Sequence, residues 1–134
     1  MHLALRSRLK FTLVFVCLLS SMTYAQKTQV YEQNEERYYH AVELYNKELF
    51  GPAAEVFQLF IENETTNSLL VEKAEIYVLM SKMQLDHYRY DKKLEQHIKK
   101  HPENTLYNLA MFELGNYLFN NRKYKKAAKY YEEL

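Results

Sequence analysis

The chain has 134 residues and a nearly balanced formal charge of +1, with 13 tyrosines but only two glycines and two prolines. Its length limits it to one domain and excludes separate catalytic and regulatory modules. Because few residues interrupt regular structure, the composition favours long helices over many short strands, and we predict an all-α fold.

The first 25 residues predict a cleavable secretory signal peptide. Arg6, Arg8 and Lys10 form a basic start, an apolar run follows at 11–19, and a small polar segment ends at Ala25. This order is typical of a signal peptide. The apolar run is about half as long as the roughly 20 residues that a helix needs to cross a bilayer. We therefore expect cleavage after Ala25, with retention as a membrane anchor as the alternative.

Removal of residues 1–25 would change the chemistry and the charge of the chain. It would remove Cys17, the only cysteine, so the mature chain would have no disulfide, thiolate ligand or cysteine nucleophile. Val16 before Cys17 does not fit a lipid-attachment signal. Of the 18 Lys and Arg residues, three lie in this segment and 15 remain against 17 Asp and Glu, a net charge of about −2. A near-neutral exported chain is a poor candidate for nucleic-acid binding.

Residues 26–134 are predicted to form one domain of six helices in three hairpins. Apolar residues recur at helical spacing, Gly51 and Pro52 interrupt the first hairpin, residues 62–68 form a polar loop, and Pro102 ends the fourth helix. The predicted hairpins span about residues 28–63, 68–101 and 104–134, the last one incomplete.

The three predicted hairpins are related by a fixed step of 37 residues. A constant step of this length, with one hairpin in each unit, is typical of an α-α superhelix, a solenoid of stacked hairpins. Equivalent positions are Ala41, Val78 and Gly115, then Phe57, Leu94 and Tyr131, and then Ala53, Tyr90 and Ala127.

The last hairpin resembles a tetratricopeptide repeat. Leu114 and Gly115 on the first helix are followed by Tyr124, Ala127 and Tyr131 on the second, which is the family's pairing of Leu-Gly with a spaced aromatic, alanine and aromatic. We expect Gly115 and Ala127 to be small because the paired helices approach closely. A second copy of the pattern lies at Ala41, Phe50, Ala53 and Phe57.

The resemblance is weaker in the middle copy, where Val78 and Tyr90 occupy both small positions. The step is also about three residues longer than the 34 that is usual for the family. Export combined with degenerate repeats is similar to the envelope tetratricopeptide proteins of bacteria, including relatives of the outer-membrane assembly lipoprotein. This resemblance implies a location in the periplasm or at the periplasmic face of the outer membrane.

The family resemblance also implies a binding surface, because the first helix of each pair lines a concave groove that holds peptides. The groove would be aromatic at both ends and charged in the middle, which suits an extended or helical peptide. As an alternative, its aromatic residues pack in the core against an N-terminal segment. The predicted groove residues are Glu35, Tyr38, Val42 and Tyr45, then Glu72, Glu75, Leu79 and Lys82, and then Leu109, Phe112, Asn116 and Phe119.

No pattern in the sequence predicts an enzyme, a cofactor or a small-molecule substrate. His97 and His101 have the spacing of a metal-binding pair on one helix. Lys99 and Lys100 add repulsive charge beside them. We therefore interpret the two histidines as ordinary residues at the C-terminal end of a helix, and we expect no metal site. No serine lies in a nucleophile motif, and no glycine-rich loop could hold phosphate.

The last predicted helix leaves an apolar face uncovered. The 37-residue step places its end beyond Leu134, and Tyr124, Ala128 and Tyr131 have no following helix to cover them. We expect further repeats to cover this face, so that the chain is the N-terminal part of a longer repeat protein; the alternative is that something else covers it. The leading hypothesis is therefore a non-enzymatic scaffold that binds a protein or peptide of unknown identity. The alternative is a structural or oligomerisation segment that packs only on further repeats or on another copy.

Overall fold

The structure is a computed structural model that describes residues 33–64, 67–86 and 89–134. The predicted signal peptide lies outside these residues. All regular structure within them is helical, which confirms the all-α prediction. None of the described helices is long and apolar enough to span a membrane. The helices are α1 (33–46), α2 (Phe50–Asn63), α3 (Ser68–Gln84), α4 (Tyr90–Lys100), α5 (Tyr107–Asn120) and α6 (Tyr124–Glu132).

The helix boundaries follow the 37-residue step at both ends of the described chain. The described part of α1, 33–46, and α5 at Tyr107–Asn120 are two steps apart. The starts of α2 at Phe50 and α6 at Tyr124 are also two steps apart. The middle pair departs, because α4 begins at Tyr90, three residues later than the step requires.

The turns that follow α1 and α5 have the same backbone geometry. Glu48 and Arg122 are both left-handed, each with φ of 60°. In each turn the amide that follows the left-handed residue donates to a carbonyl five residues earlier. The Lys123 amide donates to Leu118 at 2.9 Å, and the Leu49 amide donates to Leu44 at 3.0 Å. This is the usual way to end a helix, although glycine is more common at the left-handed position.

The start of α3 is fixed by side-chain caps. The side-chain oxygen of Asn67 accepts a hydrogen bond from the Leu70 amide at 3.1 Å. The Asn67 amide in turn donates to the Glu64 carboxylate, also at 3.1 Å. These bonds satisfy backbone donors that a helix start leaves without partners.

Residues Glu36–Leu134 form one compact unit. In it α3 is central, because it packs against α2, α4 and α5, and α5 packs in turn against α4 and α6. The core near α1 is aromatic: Phe57 stacks on Tyr77 with ring centroids 4.8 Å apart, and Tyr38 meets both rings edge-on. Aliphatic side chains and methionines fill the remainder, including Met80, Met83, Leu94, Met111 and Leu114.

The small residues lie where paired helices meet, as predicted. Gly115 is buried, and a β-carbon at this position would lie only 2.7 Å from Cε1 of Tyr131. Ala127 is also buried, as are Ala41 and Ala53 in the first hairpin. The position of the Tyr131 ring against α5 therefore depends on the absence of a side chain at Gly115.

Candidate functional site

A cleft opens where the C-terminal parts of α1, α3 and α5 come together. Three of its residues, Glu113, Asn116 and Asn120, follow each other at steps of three and four on α5 and so share one face of that helix. We call this the α1/α3/α5 cleft. Its lining residues are Tyr45, Asn46, Glu48, Phe50, Gln84, Glu113, Asn116 and Asn120.

Two hydrogen bonds hold polar side chains of the cleft in place. Gln84 on α3 donates from Nε2 to the Glu113 carboxylate on α5 at 2.9 Å. The Tyr131 hydroxyl donates to the side-chain oxygen of Asn116 at 2.8 Å. Burial raises the pKa of Glu113, and the hydrogen bond from Gln84 offsets part of this rise. The positions of Glu113 and Asn116 are therefore set before any ligand arrives.

The aromatic wall of the cleft is rigid. Tyr45 and Phe50 meet edge to face with ring centroids 5.3 Å apart. Tyr45 is largely buried, and its hydroxyl donates to the sulfur of Met80 at 3.9 Å. Burial, together with the nearby Glu113 carboxylate, raises the pKa of Tyr45, so the side chain stays neutral. It contributes packing and an apolar edge to the cleft.

The chemistry of the lining suits a peptide main chain. Each carboxamide offers both donors and an acceptor, which matches the N–H and C=O groups of an extended peptide. Gln84, Asn46, Asn116 and Asn120 supply four such groups. The carboxylates of Glu48 and Glu113 would favour a cationic side chain on that peptide.

Tyr38 is a correction to the predicted groove. Its side chain is 5% exposed and packs against Phe57, Phe60 and Tyr77. It offers no surface to a ligand because it lies on the side of α1 that faces α2 and α3. Burial, with smaller contributions from neighbouring tyrosines, raises its pKa, as expected for a phenol in an apolar core.

The other predicted groove residues are distributed over several surfaces. Tyr45 and Asn116 line the cleft. Phe112 and Phe119 are exposed outside its lining and contact rings on α6. Val42, Leu79 and Leu109 are partly buried against the core, and Glu75 is exposed. Glu35 precedes the compact unit.

Glu72 and Lys82 face α4 instead of the cleft. The Lys82 Nζ atom lies 5.5 Å from the ring centroid of Tyr90. Glu72 lies near the N-terminal end of α3, with its Oε1 atom 3.7 Å from Nδ1 of His101. The cleft, by contrast, is at the C-terminal end of α3.

Five polar cleft residues escaped the sequence analysis: Asn46, Glu48, Gln84, Glu113 and Asn120. The spacing of Glu113, Asn116 and Asn120 was visible in the sequence as one helical face. The position of Gln84 was not, since it is 29 residues from Glu113 along the chain. Comparison of the chain with protein-family models, with curated proteins and with solved structures gives no match.

Proposed function

We propose that the chain is a non-enzymatic protein-interaction scaffold of tetratricopeptide type that holds an extended peptide in the α1/α3/α5 cleft. The observation that carries this proposal is the convergence of four carboxamide side chains and two carboxylates beside an aromatic wall. Polar groups that line a cleft beside an apolar edge, three of them (Gln84, Glu113 and Asn116) held by hydrogen bonds, are typical of sites that bind a peptide through its main chain.

The proposal includes stacking of the hairpins into an α-α superhelix with α1, α3 and α5 on its inner side. Two observations favour this arrangement. The helix boundaries of the first and third hairpins are two 37-residue steps apart. Among the described helices, the main chains of α3 and α5 approach closely, whereas those of α2 and α4 lie farther apart, and α4 meets α6 only through side chains such as Asp91 and Lys123, 3.6 Å apart. Closer packing of the first helices than of the second helices would curve a stack towards its first helices.

The proposed location is the periplasm or the periplasmic face of the outer membrane. It depends on the composition of residues 1–25, with their basic start, short apolar run and small polar end at Ala25. Fractionation of bacterial cells that express the chain tests this part. Mature protein that starts at Gln26 in the periplasmic fraction supports it, and unprocessed protein in the cytoplasm contradicts it.

Selection from a displayed library of unstructured peptides tests the cleft. We expect selected peptides to carry a basic residue. Asn120→Ala and Glu113→Gln should each weaken their binding by about 1 kcal/mol, or roughly fivefold, because each removes one polar contact. Asn108→Ala is the matched control, since Asn108 is exposed on the same helix outside the cleft lining. If Asn120→Ala and Glu113→Gln weaken binding no more than the control Asn108→Ala does, the peptide binds outside the cleft.

A second candidate function is self-association through the last hairpin. Phe112, Phe119, Tyr124, Tyr131 and Leu134 are all exposed there. Within the described part of the chain α6 packs mainly against α5, and only side chains such as Lys123 and Tyr130 reach Asp91 and Glu95 on α4. An apolar surface of this kind is typical of a protein contact.

Light scattering coupled to size-exclusion chromatography distinguishes the two candidates. Self-association predicts a mass that rises with protein concentration and returns to the monomer in the double variant Phe119→Ser and Tyr124→Ser. Leu59→Ser is the control, because Leu59 is an exposed apolar residue on α2. A monomer at every concentration would remove this candidate and leave the peptide scaffold.

A further inference from the structure

Three side chains that commonly bind metal ions converge beside the end of α4. They are Glu72 from α3, His101 at the C-terminal cap of α4 and Glu103 from the following loop. One potential ligand atom from each residue lies within 4.8 Å of the others. His101 Nδ1 is 3.7 Å from Glu72 Oε1 and 3.6 Å from Glu103 Oε1.

These distances are too long for hydrogen bonds, which join N and O atoms at about 2.7–3.2 Å. Glu72 Oε1 is shielded from solvent, and no hydrogen-bond partner for it is found among the described residues. A buried carboxylate oxygen without a partner is unfavourable. Bond lengths of 2.0–2.2 Å in a tetrahedral zinc site place neighbouring ligand atoms about 3.3 Å apart. The two distances from His101 are within a few tenths of an ångström of that value, and the ligand atoms of Glu72 and Glu103 lie within 4.8 Å of each other.

His97 is a further imidazole beside the cluster, outside the group of ligand atoms that lie within 4.8 Å of one another. It lies one helical turn before His101, and the two imidazole centroids are 4.8 Å apart. Its Nε2 atom is also buried, and the described part of the chain offers it no hydrogen-bond partner. Two histidines at this spacing on one helix can bind the same ion. The carbonyl groups at the C-terminal end of α4 add a favourable negative potential for a cation.

The lysines beside the two histidines do not block such a site. Lys99 donates to Glu95 at 2.8 Å in an ion pair on α4, so its charge is already compensated. Lys100 is exposed, where its charge is screened by solvent. The electrostatic repulsion between these lysines and a bound cation is therefore smaller than we expected from the sequence.

We propose that Glu72, His101 and Glu103 form a binding site for a divalent transition-metal ion of the Zn²⁺ class. Imidazole nitrogens combined with carboxylate oxygens are ligands that Zn²⁺ accepts in proteins. The bound ion has a structural role: it links the N-terminal end of α3 to the end of α4 and the loop that follows.

Calorimetric titration of the 134-residue chain with Zn²⁺, after treatment with chelator and without a histidine tag, tests this site. We expect one ion per chain. The melting temperature, followed by circular dichroism, should rise on the order of 10 °C when free Zn²⁺ is a hundredfold above the dissociation constant.

Three variants and one control assign the ligands. Glu72→Gln, His101→Asn and Glu103→Gln should each weaken Zn²⁺ binding at least about tenfold, since even the loss of outer-shell partners weakens metal sites by that factor. Glu103→Gln changes an exposed side chain and should leave the fold intact even if another variant unfolds. His40→Asn is the control, because His40 is an exposed histidine on α1.

Two results would overturn the proposal. One is the absence of binding at micromolar Zn²⁺. The other is binding that survives both glutamate variants and is lost only in His101→Asn, which would reduce the cluster to a surface histidine pair.

Discussion

The contact between Gly115 and Tyr131 gives the sharpest test of the helix packing. In Gly115→Ala the new methyl group would lie 2.7 Å from Cε1 and 3.1 Å from Cδ1 of Tyr131. The Tyr131 hydroxyl donates to Asn116 at 2.8 Å and the ring contacts Phe112, so a ring that turns away from the new methyl group would lose these contacts. The substitution must therefore displace the ring or separate α5 from α6.

Two opposing effects set the size of the change. Alanine is better than glycine in a helix by about 1 kcal/mol, whereas overpacking a contact costs about 1–3 kcal/mol. Gly115→Ala should therefore lower the free energy of unfolding by about 0–2 kcal/mol. In a Tyr131→Ala background the clash is gone, and the same substitution should raise it by up to about 1 kcal/mol. The coupling between the two positions is then about 1–3 kcal/mol.

Urea unfolding of the four chains of this double-mutant cycle, followed by circular dichroism, measures the coupling. Gly51→Ala is the control, since no heavy atom lies within 4 Å of a β-carbon at Gly51. It should be neutral or slightly stabilising. If Gly115→Ala stabilises the parent chain as much as the Tyr131→Ala chain, the helices do not need the missing side chain and the packing argument is refuted.

Three further substitutions test the core, a helix cap and a buried carboxyl. Phe57→Ala should lower the free energy of unfolding by about 3–5 kcal/mol, because Phe57 is fully buried in the aromatic cluster; a loss below about 1 kcal/mol would contradict this position. Asn67→Ala removes the bond from the Leu70 amide and should cost about 1 kcal/mol in the same measurement. Burial raises the pKa of Glu113 above its usual 4.5, so the stability that it contributes is present below that value and is lost as pH rises through the raised pKa. Glu113→Gln should therefore be more stable than the parent chain at pH 7, with a difference that shrinks towards pH 4; a difference that grows on acidification would contradict the sign.

The helices and their spacing could be predicted because they depend on local pattern. The apolar spacing and the break at Gly51 and Pro52 are properties of neighbouring residues, and the structure follows them closely. The small size of Gly115 and Ala127 was equally informative, because a missing side chain constrains the distance between two helices whatever their surroundings.

The side of α1 that meets solvent could not be predicted. Tyr38 and Tyr45 are seven residues apart and so lie on one helical stripe, but periodicity does not show whether that stripe faces the core or a ligand. The structure buries both, since α2 and α3 together cover the stripe. Aromatic residues fit either environment, so only the tertiary packing decides.

The contacts between α3 and its neighbours also escaped prediction. Gln84 meets Glu113 and Glu72 meets His101, each across 29 residues of chain. Such pairs depend on the angle and offset between packed helices, which vary from one hairpin to the next. The late start of α4 shows this variation directly, because it departs from the step that the outer hairpins keep.

The turns after α1 and α5 have the same backbone shape but carry opposite charges at one position. Main-chain hydrogen bonds fix the direction in which α2 and α6 leave the turn. The side chain at the left-handed position takes no part in these bonds, and it is an acid at Glu48 and a base at Arg122. The first and third hairpins therefore keep one turn geometry while they present opposite charges to their surroundings. A substitution at this position can change the surface charge of the turn without removing any of these main-chain hydrogen bonds.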